Sequence, residues 1–308
     1  MHVLRTERLI LRWVTASDAA FIRALLNEPS WIQNIGDRGV RTVADAATWI
    51  EARLVAGYRQ QGFGFWAIER RVDGALVGIC GLTKRDGLPD VDVGYALLPA
   101  FWGAGYALEA ASASVRYARR VLGESRILAI TTPSNERSQK VLRALGMRLL
   151  ETRTVTSEDE VLAVFATSDD PPQGDDRSQI DALVARFFAL FTNEDGAVPA
   201  VAAIPHFFLP RAVITRAGFD GIEVLDVAGF MMPRAEVLSN GRLVGFSERE
   251  LEARTELSGR IAQRWSRYRK SGTLDGVPFE AEGTKTMQLV RTDRGWKIAA
   301  LAWEDAPP

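Results

Sequence analysis

The chain has 308 residues, 47% of them hydrophobic and 25% charged, with a formal net charge of −1. That near-neutral balance leaves no electrostatic case for a nucleic-acid or membrane partner, and the apolar share is ample for a packed core. No apolar run approaches the roughly 20 residues needed to cross a bilayer, and the N-terminus lacks a signal-peptide pattern, so the cytoplasm is the expected location. The chain exceeds the roughly 100–200 residues of an ordinary domain, which suggests two. With Cys80 as its single cysteine, an intrachain disulfide is excluded and no metal site is expected.

In chain order, Leu76-Val77-Gly78-Ile79-Cys80-Gly81-Leu82 is an apolar run, in which Cys80 reads as buried packing rather than as a nucleophile. From Val93 to Ala110 a buried strand passes into a helix through Gly103 and Gly105. Residues without a Cβ let the chain turn sharply and a ligand approach the main chain, and the helix start adds unpaired N–H groups and a positive dipole end. Such a loop suits a phosphorylated cofactor, although glycine pairs also serve plain turns. Residues 127–130 read as a strand, followed by a helix with Asn135 as N-cap and Gly146 just past its end. Residues 169–176, polar and carrying paired prolines, read as a linker. Beyond them Ile180, Leu183, Val184, Phe187, Leu190 and Phe191 recur at helical spacing. Strands are expected over residues 212–215, 223–227, 256–268, 284–292 and 296–303, with a tight hairpin between the last two. Long antiparallel strands after a helix argue for an α+β class.

The order of strand, glycine loop, helix, strand and an Asn-x-x-Ser helix ending in Leu-Gly-Met resembles the GNAT acetyltransferase superfamily. Within it the chain is similar to the RimJ/RimL branch, the ribosomal-protein N-terminal acetyltransferases. The resemblance covers about residues 3–168 and takes in Thr6 to Arg12, Phe65 to Ile68 and Val77 to Leu82. It implies a GNAT domain over 1–168, a mixed sheet flanked by helices, with acetyl-CoA as cosubstrate. The pantetheine arm would run along a splayed strand at Ala96, Leu97 and Leu98. The pyrophosphate would sit on Trp102, Gly103, Ala104, Gly105, Tyr106 and Ala107. The family's loop usually begins with Gln or Arg three residues before the first glycine; Ala100 stands there, so one side-chain contact is missing. Residues 177–308, on Gly259 to Tyr268 and on Gly283 to Ala302 with its Gly295-Trp296-Lys297-Ile298, resemble the NTF2-like (SnoaL-like) α+β cone. That fold hosts isomerases, hydrolases and binding or dimerising modules, so it implies architecture and not function.

Acetyl transfer to an amine needs a neutral amine, a polarised thioester carbonyl and a proton for the departing thiolate. The two histidines, His2 and His206, stand at the extreme N-terminus and in the other domain, so a histidine base is not expected. Asp92, on the strand that would approach the thioester, is the candidate base, acting directly or through water; the alternative is a solvated strand-end acid. Glu109 matches a Glu of this branch and reads as structural, since a negative charge in a first helical turn is favourable by roughly 0.3–1 kcal/mol. Asn135 and Ser138 match the family's Asn-x-x-Ser, which implies contact with the CoA arm and makes Ser138 a proton donor to the thiolate. The same residues also serve as N-cap and first-turn hydroxyl. Tyr106 is a further candidate donor, though an aromatic beside a glycine loop more often packs.

Acceptor recognition is expected from residues 18–29, 31–41 and 44–61, where Trp31, Ile32, Ile35, Asp37 and Arg38 could wall a pocket. A peptide N-terminus, a polyamine, an aminoglycoside and an amino acid all remain open as the amine. In the second domain, alternation places Thr255, Leu257, Ile261, Gln263 and Trp265 on one face and Glu256, Arg260, Ala262 and Arg264 on a solvated one. Gln263 and Gln288 then stand out as polar residues in an apolar setting, and His206 reads as structural. The leading reading is an acetyl-CoA-dependent N-acetyltransferase whose C-terminal domain dimerises or binds a ligand. The alternatives are a bifunctional enzyme with isomerase or hydrolase activity in the cone, and a CoA-binding protein without turnover. A homodimer is suggested by analogy with both folds.

Overall fold

The computed structural model describes residues 1–154, 161–168, 174–218 and 221–306. The linker expected over 169–176 falls partly on residues 169–173, which lie outside the described residues. The chain divides into two compact α+β units, His2–Tyr58 with Phe63–Pro171, and Arg59–Gly62 with Met1 and Pro172–Pro308.

The first unit opens with β1 (His2–Arg5) and β2 (Leu9–Arg12), then helices α1 (Ala19–Leu26), α2 (Pro29–Ile35), α3 (Val43–Trp49) and the start of α4 (Ala56–Gln61), whose residues from Arg59 onward group with the other unit. It continues through β3 (Phe65–Arg70), β4 (Leu76–Thr83), β5 (Asp92–Leu97), α5 (Tyr106–Tyr117), β6 (Leu128–Thr131), α6 (Glu136–Ala144), β7 (Arg148–Thr154) and β8 (Val161–Ala166). The eight strands lie in the order β1-β2-β3-β4-β5-β6-β8-β7. Among the described residues of this sheet only the β5–β6 pair is parallel; the others are antiparallel. β4 is buried from Val77 to Leu82, as a strand covered on both faces must be. One face carries α5, where Cys80 Sγ lies 3.5 Å from Ser114 Oγ and Trp66 meets Tyr117 edge-on at 5.4 Å. Cys80 is fully buried and its thiol is pushed up to about 12 by desolvation, which keeps it protonated and inert. Elsewhere in the core Tyr58 stacks on Trp13 at 4.7 Å and donates to the Phe65 carbonyl. Gly81 is required by the close approach of β3, because a Cβ there would stand 2.0 Å from the Gly64 oxygen.

The second unit comprises α7 (Asp176–Ala189), α8 (Ile204–Phe207), β9 (Phe208–Gly218), β10 (Gly221–Leu225), α9 (Val227–Ser239), β11 (Leu243–Ser258), β12 (Ile261–Leu274), β13 (Val277–Thr292) and β14 (Gly295–Asp305). Its six-stranded sheet runs β10-β9-β14-β13-β12-β11, with β9 and β14 parallel. α7 follows the spacing of its apolar residues, and Asp175 caps it by accepting from the Ser178 N–H at 2.9 Å. Phe187 sits at the centre of an aromatic cluster with Phe188, Phe191, Phe207, Phe208 and Phe230.

Two expectations for this unit are corrected. Residues 256–268 are not one strand but the arms of a hairpin turning at Gly259, which has a φ of +58°, and Arg260. Reading alternation straight through a two-residue turn mispairs the arms, and across the hairpin Thr255 faces Arg264. Arg264 is therefore buried, while Gln263 and Gln288 are exposed. The strand expected to reach Val227 ends at Leu225, because Asp226 caps α9 by accepting from the Gly229 N–H at 2.7 Å.

A buried charge needs partners, and Arg264 has them: Glu250 at 2.5 and 2.9 Å, Asp181 at 2.5 Å and the Thr255 hydroxyl at 2.7 Å. Ser266 donates to Glu250 as well, at 2.5 Å. Replacing Arg264→Ala strands Glu250 and is expected to cost about 3–5 kcal/mol of the second unit's stability, and the double variant Arg264→Met/Glu250→Met much less. Urea unfolding of the three proteins measures this; a single-variant loss below about 1 kcal/mol would show that Glu250 is solvated without its arginine.

Candidate active site

β5 meets β6 at one register pair, Asp92 with Leu128, where the Leu128 N–H donates to the Val91 carbonyl at 2.9 Å. Past that point β5 stays paired with β4 as far as Leu97, and β6 pairs with β8 on its far side. The β5 edge that faces β6 therefore runs from Val93 toward Leu97 without a ladder partner. An open strand edge of this kind can pair with an extended ligand that carries amide groups. Ala96 and Leu97 lie on it; the Leu98 N–H donates instead to Val77 at 2.9 Å, and the Leu97 carbonyl accepts from the Trp102 indole at 2.9 Å.

The edge leads into the glycine loop. Gly103 and Gly105 have φ of +79° and +80°, and a Cβ on Gly103 would meet nothing within 4 Å, so conformation rather than space calls for glycine there. Gly105 is the N-cap of α5 and makes no side-chain capping bond, which leaves the N–H groups of Tyr106, Ala107 and Leu108 without an intrahelical acceptor. Three uncapped N–H groups at the positive end of a twelve-residue helix are donors of the kind that a diphosphate could accept from.

The first strand's entry braces this loop. Glu109 accepts from the Thr6 hydroxyl at 2.6 Å, the Arg8 N–H at 2.9 Å and Arg8 Nε at 2.7 Å. Arg8 Nη1 in turn donates to the Ala104 carbonyl at 2.9 Å, and its guanidinium lies over the Tyr106 ring at 4.7 Å. Burial works against the Glu109 charge, but the bonds from Thr6 and Arg8 outweigh it and hold the carboxyl below its usual range. Trp102, on the other flank, stacks against Arg137 of α6 at 4.9 Å.

Asp92 is neither solvated nor free. It is 1% exposed, and Arg85 Nε lies 3.1 Å from both of its oxygens. Burial raises its carboxyl to about 6 against the opposing pull of Arg85 and Lys84. Asn135 Oδ1 accepts from the Ser138 N–H at 3.0 Å, so its side-chain oxygen caps α6. Ser138 meets the Tyr95 hydroxyl, which lies 3.1 Å from both the Ser138 carbonyl and Oγ. Strand alternation puts Tyr95, opposite Cys80, on the α5 face and Asp92 on the other, so Asp92 and Ser138 flank β5 from opposite sides. Tyr95 and Arg85 are the residues that sequence reasoning did not single out. Tyr95 lies inside the motif, but nothing in linear order links it to a serine 43 positions away.

Among the described residues no cluster of His, Cys, Asp or Glu is placed to hold a metal ion, and no helix is long and apolar enough to cross a membrane.

A family model described as an acetyltransferase (GNAT) domain matches residues 8–148. An uncharacterized N-acetyltransferase of Bacillus subtilis strain 168, YoaA, is 32% identical over 149 residues, 47% of this chain and 82% of that protein. An Aspergillus fumigatus protein named FsC-acetyl coenzyme A-N(2)-transacetylase is 30% identical over 51% of this chain and 56% of its own length. Among solved structures, a Bacillus anthracis acetyltransferase of the GNAT family is 22% identical, with a TM-score of 0.47 over 56% of this chain and 100% of its own.

The Glu109 clasp is testable through pH. Its depressed carboxyl contributes stability above the unfolded value of about 4.5, and that contribution is lost as pH falls through the lower folded value. Glu109→Gln is expected to cost about 1–3 kcal/mol at pH 7 and to flatten the acid limb of the first unit's melting profile. Melting curves from pH 7 to 3 that superimpose for the two proteins would remove the clasp from this account.

Proposed function

The chain belongs to the GNAT acetyltransferase family, and on that premise we propose that its N-terminal unit transfers acetyl from acetyl-CoA to a primary amine by direct attack on the thioester. One observation carries the reading: the unpaired edge of β5 runs straight into the uncapped, glycine-started end of α5. A ligand with amide groups at one end and a diphosphate at the other matches that track. On this reading Ala96, Leu97 and Leu98 take the pantetheine arm, residues 102–107 the diphosphate, and Asn135 sets the α6 turn that carries Ser138.

Acetyl-CoA supplies the activated acyl group. The amine nitrogen bonds to the carbonyl carbon, the C–S bond breaks with its electron pair on sulfur, and the nitrogen loses a proton. Asp92, through water, takes that proton and passes it to solvent; a carboxyl near 6 is ionised at neutral pH yet basic enough for the task. Ser138 hydrogen-bonds the sulfur from the opposite face of β5. The amine adds to one face of the planar carbonyl and the thiolate is expelled from the tetrahedral carbon that results, so the proton acceptor and the sulfur's hydrogen-bond donor serve different atoms and need separate places.

The C-terminal unit we assign to the NTF2-like class, acting in dimerisation or ligand binding; its six-stranded sheet and the helices of that unit support the assignment. A closed polar pocket around Gln263 or Gln288 would favour the bifunctional alternative, and both side chains are exposed.

Calorimetry of acetyl-CoA against wild type and Gly103→Val/Gly105→Val, with an assay on a seryl tripeptide, spermidine, kanamycin and free amino acids, tests the function. Micromolar binding lost in the variant, with turnover of one amine, is the expected result. Binding without turnover points to the CoA-binding alternative, and no binding by folded wild type removes the transferase reading. For the base, Asp92→Asn is expected to lower kcat/KM about a hundredfold at pH 7.5 and to abolish the fall in rate as pH drops through about 6. An acid limb that persists in the variant would assign the base elsewhere.

A further inference from the structure

Ser138, in the first turn of α6, has its amide held by Asn135 and its hydroxyl by Tyr95. The Tyr95 hydroxyl has one proton and two acceptors at equal range, the Ser138 carbonyl and Ser138 Oγ, each at 3.1 Å. These alternatives differ in what they leave for a ligand. When Tyr95 donates to the carbonyl, its own oxygen accepts from the Ser138 hydroxyl, whose proton is then engaged by the tyrosine. When Tyr95 donates to Oγ, the serine proton is released to point elsewhere.

We infer that Tyr95 is a positioning residue of the transfer reaction, orienting the Ser138 hydroxyl so that its proton faces the thioester sulfur as negative charge builds there. The inference rests on the transferase reading above. A developing thiolate draws the serine proton toward itself, Oγ becomes the better acceptor, and Tyr95 moves its donation from the carbonyl to Oγ. Each bond in such a chain polarises the next. No covalent change occurs at Tyr95, since the phenol keeps its proton throughout. Desolvation of the largely buried ring raises the hydroxyl to about 12, in keeping with a donor and not an acid. The placement also explains why an aromatic with a polar tip stands here: Cys80 and Tyr95 are cross-strand partners under α5, and only the longer side chain reaches α6.

The test is a double-mutant cycle of Tyr95→Phe and Ser138→Ala on the amine found by the panel, reading kcat, KM for acetyl-CoA and CoA binding by calorimetry. Tyr95→Phe is expected to lower kcat about tenfold or more while KM and CoA affinity stay within about twofold, and to have no effect in the Ser138→Ala background. A Tyr95→Phe protein with wild-type kcat overturns the inference and leaves the transferase reading intact. An equal loss in both backgrounds, or a loss carried by CoA affinity, shows that Tyr95 only packs, and also overturns it. A folded wild type that neither binds CoA nor acetylates any amine removes the transferase reading and the inference with it.

Discussion

Parallel strands hide their backbones only by continuous pairing, and β5 and β6 abandon it after Asp92 and Leu128. The first unit's candidate site depends on that single departure. Because β4 still holds β5 on one side and β8 holds β6 on the other, the sheet persists while a backbone edge opens inside it rather than at its rim. An edge at the rim invites another chain; an edge between two anchored strands admits only something slender and extended. The glycine loop, the uncapped start of α5 and the Asn135-capped start of α6 all border this opening.

Around the opening, charge is placed to hold geometry. Glu109 draws Thr6 and Arg8 to the first turn of α5, and Arg8 carries the restraint on to Ala104. The loop is thus braced while no side chain caps the first N–H groups of α5. Asp92 is the opposite case, a carboxylate buried where β5 and β6 still touch and countered by half-exposed Arg85 with a smaller pull from Lys84. Desolvation that Arg85 does not fully offset leaves it closer to neutrality than any strand-end acid in water. The second unit shows fuller compensation at Arg264, which is bonded by two carboxylates and a hydroxyl, whereas buried Lys285 is held below its usual range by desolvation even though it is paired with Glu248 over the rings of Phe188 and Tyr268.

What could be read from the chain was local. Gly103 and Gly105 announce a left-handed turn into a helix, Asn135 and Gly146 bracket α6, and the spacing from Ile180 to Phe187 marks α7. Each of those signals lies within a few residues of its structural consequence. The error at residues 256–268 had the same cause in reverse: alternation is a local rule, and a two-residue turn resets which face is which. α9 escaped notice because Gly229 and Pro233 interrupt any helical pattern, and its capping by Asp226 depends on a backbone already turned.

Sequence alone determined that this chain has a left-handed glycine turn leading into a helix on an α+β framework, because backbone conformation at Gly103 and Gly105 is set by the residues themselves. It also determined that the only thiol lies in an apolar run. Tertiary structure decided the rest: that β5 parts from β6, that Asp92 is buried against Arg85, and that Tyr95 meets Ser138 across 43 positions. Those facts arise from which strand pairs with which and where pairing stops. Such long-range choices follow from the packing of the whole unit, and no window of neighbouring residues contains them.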